Sequence, residues 1–327
     1  MRAAWYSNNG AAREVLVIGE LPTPQAGPGE VRVKLSVSGV NPSDVKARRS
    51  RPLGDFDRVV PHSDGAGIID QIGNGVAPGR LGERVWVWNG QWQRSMGTAA
   101  EYIVVPSRQA VRLPAATSFE AGACLGIPAL TAFHGISLLG ALQGRTVLVV
   151  GAASAVGHYA TQIAARCNGA RVIGTVGSEE KARHAVQAGA METIDYKREP
   201  VAERIREMTA GRGVDAIIDM DFSSTVRLLE QGALAPHGTL VSYGSNDMGA
   251  VAIPFRPMLF NSISLKFFLV YELLVADRRA ALEGITQLLE NNVLDHTIGA
   301  AFDLDEIAQA HEAVESGRVL GNVIVRL

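Results

Sequence analysis

Residues 151–157 read Gly-Ala-Ala-Ser-Ala-Val-Gly, directly after the apolar run Thr146–Val150 and directly before a helical pattern from His158 to Arg166. Small residues at a strand-to-helix junction suit phosphate binding. The first N–H groups of a helix lack intrahelical partners, the helix dipole adds positive charge there, and small side chains let an anion reach the backbone. Gly151, Ala153, Ser154, Ala155, Val156 and Gly157 are therefore candidates to hold a pyrophosphate. The run lacks the full Gly-x-Gly-x-x-Gly pattern, so its context matters more than its glycines. A second apolar run, Arg171–Val176, completes a strand–helix–strand unit with the spacing of a dinucleotide site.

The tip of that second strand says which dinucleotide. An NAD site places Asp or Glu there, where it accepts from the ribose 2′-OH. Here the tip is Val176-Gly177-Ser178, without a carboxylate to repel a 2′-phosphate. Ser178 can donate a hydrogen bond and Lys181 brings a cation as the next helix begins, which favours NADP(H). Glu179 and Glu180 read as ordinary acidic partners of a helix N-terminus.

The elements that must position these groups fall into two kinds. Residues 1 to about 120 read as short strands with Gly/Pro turns: 2–6, 15–20, 30–38, 64–72, 84–88 and 99–105. In the third of them Val31, Val33, Leu35 and Val37 alternate, as in a half-buried strand. Many such strands predict a β-barrel-like domain. From about residue 121, strands alternate with helices: 146–150, 171–176, 193–195, 214–219 and 239–243, with helical patterns between them. This predicts a parallel, doubly wound α/β sheet of the Rossmann type. Beyond the breaker-rich Ile253-Pro-Phe-Arg-Pro257, a strand at 264–269, a helix at 276–291 and a final strand at 322–327 are expected to return to the first domain. The expected division is thus 1–120 completed by 264–327, with 121–263 inserted as the nucleotide domain.

Composition excludes several classes. The chain has 327 residues, 47% of them hydrophobic, and a formal charge of −2. It holds no like-charge block, so neither nucleic acid nor an anionic membrane is an expected partner. No apolar run approaches a membrane span and no secretory leader is visible, which makes a cytoplasmic protein the expectation. Cys124 and Cys167 are the two cysteines and stand too far apart in sequence for a thiolate metal motif.

Taken in order, Gly39-Val-Asn-Pro-Ser-Asp44, Pro61-His-Ser-Asp-Gly-Ala-Gly67, Ile72-Gly-Asn-Gly75, Gly97-Thr-Ala-Ala-Glu-Tyr102, Gly126-Ile-Pro-Ala-Leu-Thr-Ala132, the 151–157 turn, Val172-Ile-Gly-Thr-Val-Gly-Ser178 and Leu240-Val-Ser-Tyr-Gly244 resemble the quinone oxidoreductase (ζ-crystallin-like) branch of the medium-chain dehydrogenase/reductase superfamily. The resemblance runs along essentially the whole chain. It implies a GroES-like barrel domain plus a Rossmann domain, with the active site in the cleft between them. By the same resemblance Asn41 and Asp44 line the substrate side, and Asn41 also lies by the cofactor. Thr131 contacts the nicotinamide half, Gly177, Ser178, Lys181 and Tyr196 hold the 2′-phosphate, and Gly244, Ser245 and Asn246 flank the nicotinamide ribose. Phe268, Leu269, Val270 and Asn322 close over the cofactor. Zinc relatives carry Cys and His where this chain has Asn41 and Ser63, so no metal is expected.

The resemblance implies hydride transfer from NADPH to a quinone, or alternatively to the C=C bond of an α,β-unsaturated carbonyl. A coenzyme-saturated binding role is a third, weaker implication. The run Ala250–Phe255 is the expected edge strand of a homodimer. Three departures stand out. Ser154 and Ala155 replace glycines in the phosphate turn. Lys46 replaces a tyrosine, which leaves Lys46, Tyr6 and Tyr271 as candidate proton donors. Asp219-Met-Asp-Phe-Ser-Ser224 replaces an Asp-x-x-Gly turn and adds the charge of Asp221.

Overall fold

The computed structural model describes residues 1–327 and divides the chain into two compact units. The first comprises Met1–Pro128, Thr286–Asn291 and His296–Leu327; the second comprises Ala129–Ile285 and Asn292–Asp295.

The first unit opens with β1 (Arg2–Trp5), β2 (Val17–Glu20), β3 (Glu30–Val40), β4 (Asp64–Ile72), β5 (Arg84–Val87), β6 (Tyr102–Pro106) and β7 (Ala110–Arg112). The alternation read in β3 is the one that folds inward: Val31, Val33, Leu35 and Val37 are buried, and the first three pack with Ile69, Val85, Val87, Ile103 and Val105 in one core. β3 is antiparallel to β4, and the register shifts twice along that pair. Gly67 sits at this close approach, where a Cβ would run into the backbone of Lys34 and Leu35. A helix over Pro42–Ser50, absent from the strand-based reading, follows β3.

The second unit contains β8 (Thr146–Val149), β9 (Arg171–Val176), β10 (Glu192–Asp195), β11 (Val214–Asp219), β12 (Leu234–Ser242) and β13 (Ser264–Phe267). All are parallel, in the order β10-β9-β8-β11-β12-β13. Leu148, Ile173, Ile194, Ile217 and Leu240 each supply a fully buried side chain from successive strands to one core. Sequence order reverses direction between β8 and β11, which opens a crevice at the carboxyl ends of these strands, the place where doubly wound sheets bind ligands.

The chain closes with β14 (Ile298–Asp303) and β15 (Asn322–Arg326), back in the first unit. β15 is antiparallel to β3, with Val323 opposite Val40, and completes a seven-stranded sheet. The return to the first unit therefore comes later than residue 264. β13 pairs with β12 along Thr239↔Ser264 to Ser242↔Phe267, so it is the sixth strand of the parallel sheet. The first boundary also moves, from 120 to Pro128. Ala250–Pro254 forms no strand, and Phe255–Phe260 is a short helix; the free edge belongs to β13 instead. No helix is long and apolar enough to cross a membrane.

Candidate active site

In the second unit the carboxyl end of β8 leads into Gly151, whose φ of +70° is in the left-handed region that only glycine enters freely. Its N–H donates to Thr175 Oγ1 at 2.9 Å, which ties the turn to β9. A Cβ on Gly157 would collide with the Gly151 carbonyl, so the first helical turn lies directly on the loop. Ser154 is the N-cap of the helix Ala155–Gln162, and its Oγ accepts from the Gly157 N–H at 3.0 Å. The serine there satisfies one of the orphan helix donors. Ser154 also shares a hydrogen bond with the Tyr243 phenol, which burial pushes above its usual range.

At the tip of β9, Ser178 caps the helix Glu179–Ala188 by accepting from the Lys181 N–H at 3.3 Å. A Cβ built on Gly177 would lie 2.8 Å from the Tyr196 hydroxyl and 3.2 Å from Lys197 Cε. Gly177, Ser178, Lys181 and Tyr196 are thus brought together, and Lys197 joins them. Lys181 titrates lower than a free lysine because burial disfavours its charge and Lys197 repels it, with Glu180 acting the other way. Two ammonium groups thus repel each other beside a β9 tip that carries no carboxylate of its own. Sequence reasoning missed Lys197 because it lies in the turn after a different strand, β10; the signal was its place next to Tyr196.

At the ends of β11 and β12 two carboxylates organise the backbone. Asp219 is fully buried and accepts from Thr225 Oγ1 at 2.7 Å, Ser242 Oγ at 2.8 Å and the Asp221 N–H at 2.9 Å. Burial raises its pKa, and those three bonds work against the rise. Asp221 accepts from Ser223, Ser224 and both N–H groups of Asn246. Burial alone would push its carboxyl up, but these bonds outweigh it and hold it below the ordinary carboxylate value. Gly244 closes onto the Met220 carbonyl, 2.7 Å from where its Cβ would stand, and Ser245 Oγ donates to the Asp247 carbonyl at 2.5 Å.

Beyond β13, Phe268 meets His134 edge-on at 4.8 Å between ring centroids and lies 6.3 Å from Tyr243. Val270 is buried, with its carbonyl held by Arg278, while Leu269 is exposed. Thr131, one helical turn before His134, is buried and its hydroxyl has no hydrogen-bond partner within the protein. An orphaned buried hydroxyl is costly unless a partner from outside the protein, water or ligand, satisfies it.

The remaining candidates belong to the first unit. Asn41 starts the helix Pro42–Ser50; its N–H donates to Asp44 Oδ2 at 2.8 Å and its Nδ2 to Asp64 Oδ2 at 2.9 Å. The signal that could have found this helix was Asn-Pro-x-Asp, an N-cap, a proline at the first position and an acid in the first turn. Burial pushes the Asp44 carboxyl up to about 7, against opposing hydrogen bonds from Asn41 and Ser63. Lys46 is exposed, two residues along the helix from buried Asp44. Tyr6 is buried, and burial together with Asp44 pushes its phenol up to about 12. Asn322 is buried and gives its Nδ2 to the Thr297 carbonyl at 3.1 Å.

The family model of an alcohol dehydrogenase GroES-like domain matches residues 27–115, and that of a zinc-binding dehydrogenase matches residues 155–289. A quinone oxidoreductase of Pseudomonas aeruginosa is 32% identical over 317 residues, which cover 95% of this chain and 95% of that one. Among solved structures, one described as an NAD-dependent alcohol dehydrogenase is 30% identical with a TM-score of 0.89, covering 100% of both chains. A mycobacterial protein solved with NADPH is 26% identical with a TM-score of 0.85, again over 100% of both. This chain is an oxidoreductase that belongs to the quinone oxidoreductase branch of the medium-chain dehydrogenase/reductase superfamily.

Proposed function

We propose that this protein is a zinc-independent, NADPH-dependent quinone reductase that works as a homodimer. The observation that carries the coenzyme is the pair Lys181 and Lys197 beside Gly177, Ser178 and Tyr196, at a strand tip with no carboxylate. This matters because the structural relatives differ in their named coenzyme, NAD in one and NADPH in another. The rest of the second unit fits a dinucleotide too. Gly151 and Gly157 leave a bare backbone cradle, and Thr131 has an unspent buried hydroxyl. Bound there, NADPH supplies hydride chemistry for an electron-poor conjugated acceptor. The quinone class is supported by relatives of that name along the whole chain.

The chain's own groups orient and protect. The 151–157 turn presents helix N–H groups to a pyrophosphate. Phe268, Leu269 and Val270 cover the coenzyme, and Asn322 is read as a further contact to it. Asn41 polarises the acceptor carbonyl. Asp44 has a proton to give near neutrality, whereas Tyr6, pushed up to about 12, releases one poorly.

Zinc independence is supported by the donor set. Asp64 Oδ2 already accepts from Asn41 and from the Ile127 N–H at 2.9 Å, and neighbouring Ser63 offers no thiolate or imidazole. Both ring nitrogens of His62 are spent on Ser38 and His311. No group of three His, Cys, Asp or Glu side chains is placed to hold a metal ion. The homodimer is supported by the free edge of β13 and by exposed Phe255, Leu259, Phe260 and Phe267 close to it in sequence.

The test is oxidation of NADPH and NADH in metal-free buffer against a benzoquinone, a naphthoquinone, an enone and an aliphatic aldehyde. The expected result is fast NADPH oxidation with the quinones, slow oxidation with NADH, and no loss of rate after chelation. Turnover with the enone alone transfers the reading to a double-bond reductase, and a chelator-sensitive aldehyde activity overturns zinc independence.

A further inference from the structure

Asp221 carries a charge that the coenzyme contacts above do not use. Its carboxylate is saturated by four neutral donors: Ser223 Oγ at 2.6 Å and the Asn246 N–H at 2.8 Å on Oδ1, Ser224 Oγ at 2.9 Å and Asn246 Nδ2 at 2.9 Å on Oδ2. Two of these come from the start of the helix Phe222–Glu230, and two from one residue of the loop after β12. The neighbouring Met220 packs against Gly151 in the phosphate turn, and its carbonyl backs Gly244. Residues 219–222 thus join the phosphate turn to the loop 244–247 across the point where strand order reverses.

The direction of a dinucleotide over this edge follows from the charges. The proposed 2′-phosphate site lies at the tips of β9 and β10, which fixes the adenosine half on that side of the phosphate turn. The nicotinamide half then runs the other way, over the ends of β11, β12 and β13. Asn246 lies on that path. Because its Nδ2 is committed to Asp221, its carboxamide orientation is fixed, and Oδ1 is presented as an acceptor.

We propose that Asp221 is a positioning residue for the coenzyme: it holds the 244–247 loop so that Asn246 Oδ1 accepts from a hydroxyl of the nicotinamide-side ribose. The inference rests on the NADPH reading, and its test separates the two. Calorimetric titration of the intact protein uses NADPH and, in parallel, adenosine 2′,5′-bisphosphate, which carries only the adenosine half. Wild-type protein, Asp221→Ala, Asn246→Ala and the double variant are compared, with thermal unfolding as the check on folding.

Each single substitution is expected to weaken NADPH about tenfold. The bisphosphate is expected to bind within twofold of wild type, and the double variant no more weakly than Asp221→Ala, since both act through one contact. Unchanged NADPH affinity in Asn246→Ala overturns the proposal. So do additive effects in the double variant, or an equal loss of both ligands in Asp221→Ala, which would make the carboxylate a fold determinant only. Asn246→Ala truncates an exposed side chain, so it keeps the test alive if Asp221→Ala fails to fold. A wild-type protein that binds neither ligand sinks the coenzyme reading itself.

Discussion

At the scale of single residues, the proposed coenzyme choice turns on two ammonium groups and one absent carboxylate. Lys181 is partly buried and Lys197 exposed, so their shares of a 2′-phosphate contact differ. A charge-assisted hydrogen bond contributes about 1.5–3 kcal/mol, with the exposed partner at or below the lower end. Lys181→Ala is therefore expected to weaken NADPH by roughly ten- to a hundredfold. Lys197→Ala should weaken it by less, and NADH affinity should stay within twofold in both. Fluorescence titration at two ionic strengths checks this, because the NADPH loss should shrink at high salt. Equal losses for NADPH and NADH would show that neither lysine reads the phosphate. Thr131 belongs at this scale as well: Thr131→Val keeps the shape, removes an orphaned hydroxyl, and should stabilise the free protein slightly while weakening the coenzyme. Thermal unfolding with and without NADPH reads both effects.

At the scale of elements, the first unit is pinned by a fully buried polar chain. Thr98 Oγ1 donates to the Asp64 carbonyl at 2.6 Å, so Ser38 must donate to Thr98 at 2.7 Å. His62 Nδ1 then donates to Ser38 at 2.8 Å, and His311 Nε2 donates to His62 Nε2 at 2.9 Å. Each ring is neutral in this arrangement, and no acceptor remains for an added proton: His311 Nδ1 has no partner. Burial, with Arg48 adding to it, pushes His311 down to about 3, and burial with His311 holds His62 well below its usual value. A histidine depressed in the folded state contributes stability that is whole above about pH 6.5 and is lost as pH falls toward the folded value. The slope reaches about 1.4 kcal/mol per pH unit for each histidine. Asp44, raised to about 7, acts with the opposite sign over part of the same window. The informative quantity is thus a difference: His62→Gln/His311→Leu should lose less stability than wild type between pH 7 and pH 5 in urea unfolding. Parallel pH profiles would remove the pair from the acid response.

At the scale of the whole molecule, the free edge of β13 and the exposed aromatic side chains near it in sequence predict self-association. Sedimentation is expected to give a mass near twice 34.7 kDa, and Phe260→Asp or Phe267→Asp should shift it toward the monomer. A wild-type monomer at micromolar concentration would leave the edge strand without its partner and overturn the dimer.

Much of this molecule was legible in the sequence. Alternation in Glu30–Val40 and apolar runs such as Val214–Asp219 carry their own burial pattern, and the small residues of 151–157, set between a strand and a helix, mark a tight turn. These are local properties, fixed by side-chain period and backbone freedom within a few residues. Three things were not local. β13 read as a return to the first domain, yet pairing with β12 made it the sixth parallel strand. Lys197 was not singled out in the sequence, and only the tips of β9 and β10 lying side by side bring it to Gly177. Asp221 looked like an unexplained charge until the loop after β12 delivered Asn246 to it. Sequence alone determined most of the strands and the small-residue turn at 151–157, because hydrophobic period and glycine freedom act over short range. Tertiary structure alone decided strand order and the partners of isolated charges, because those depend on which distant segments the sheet brings within hydrogen-bonding reach.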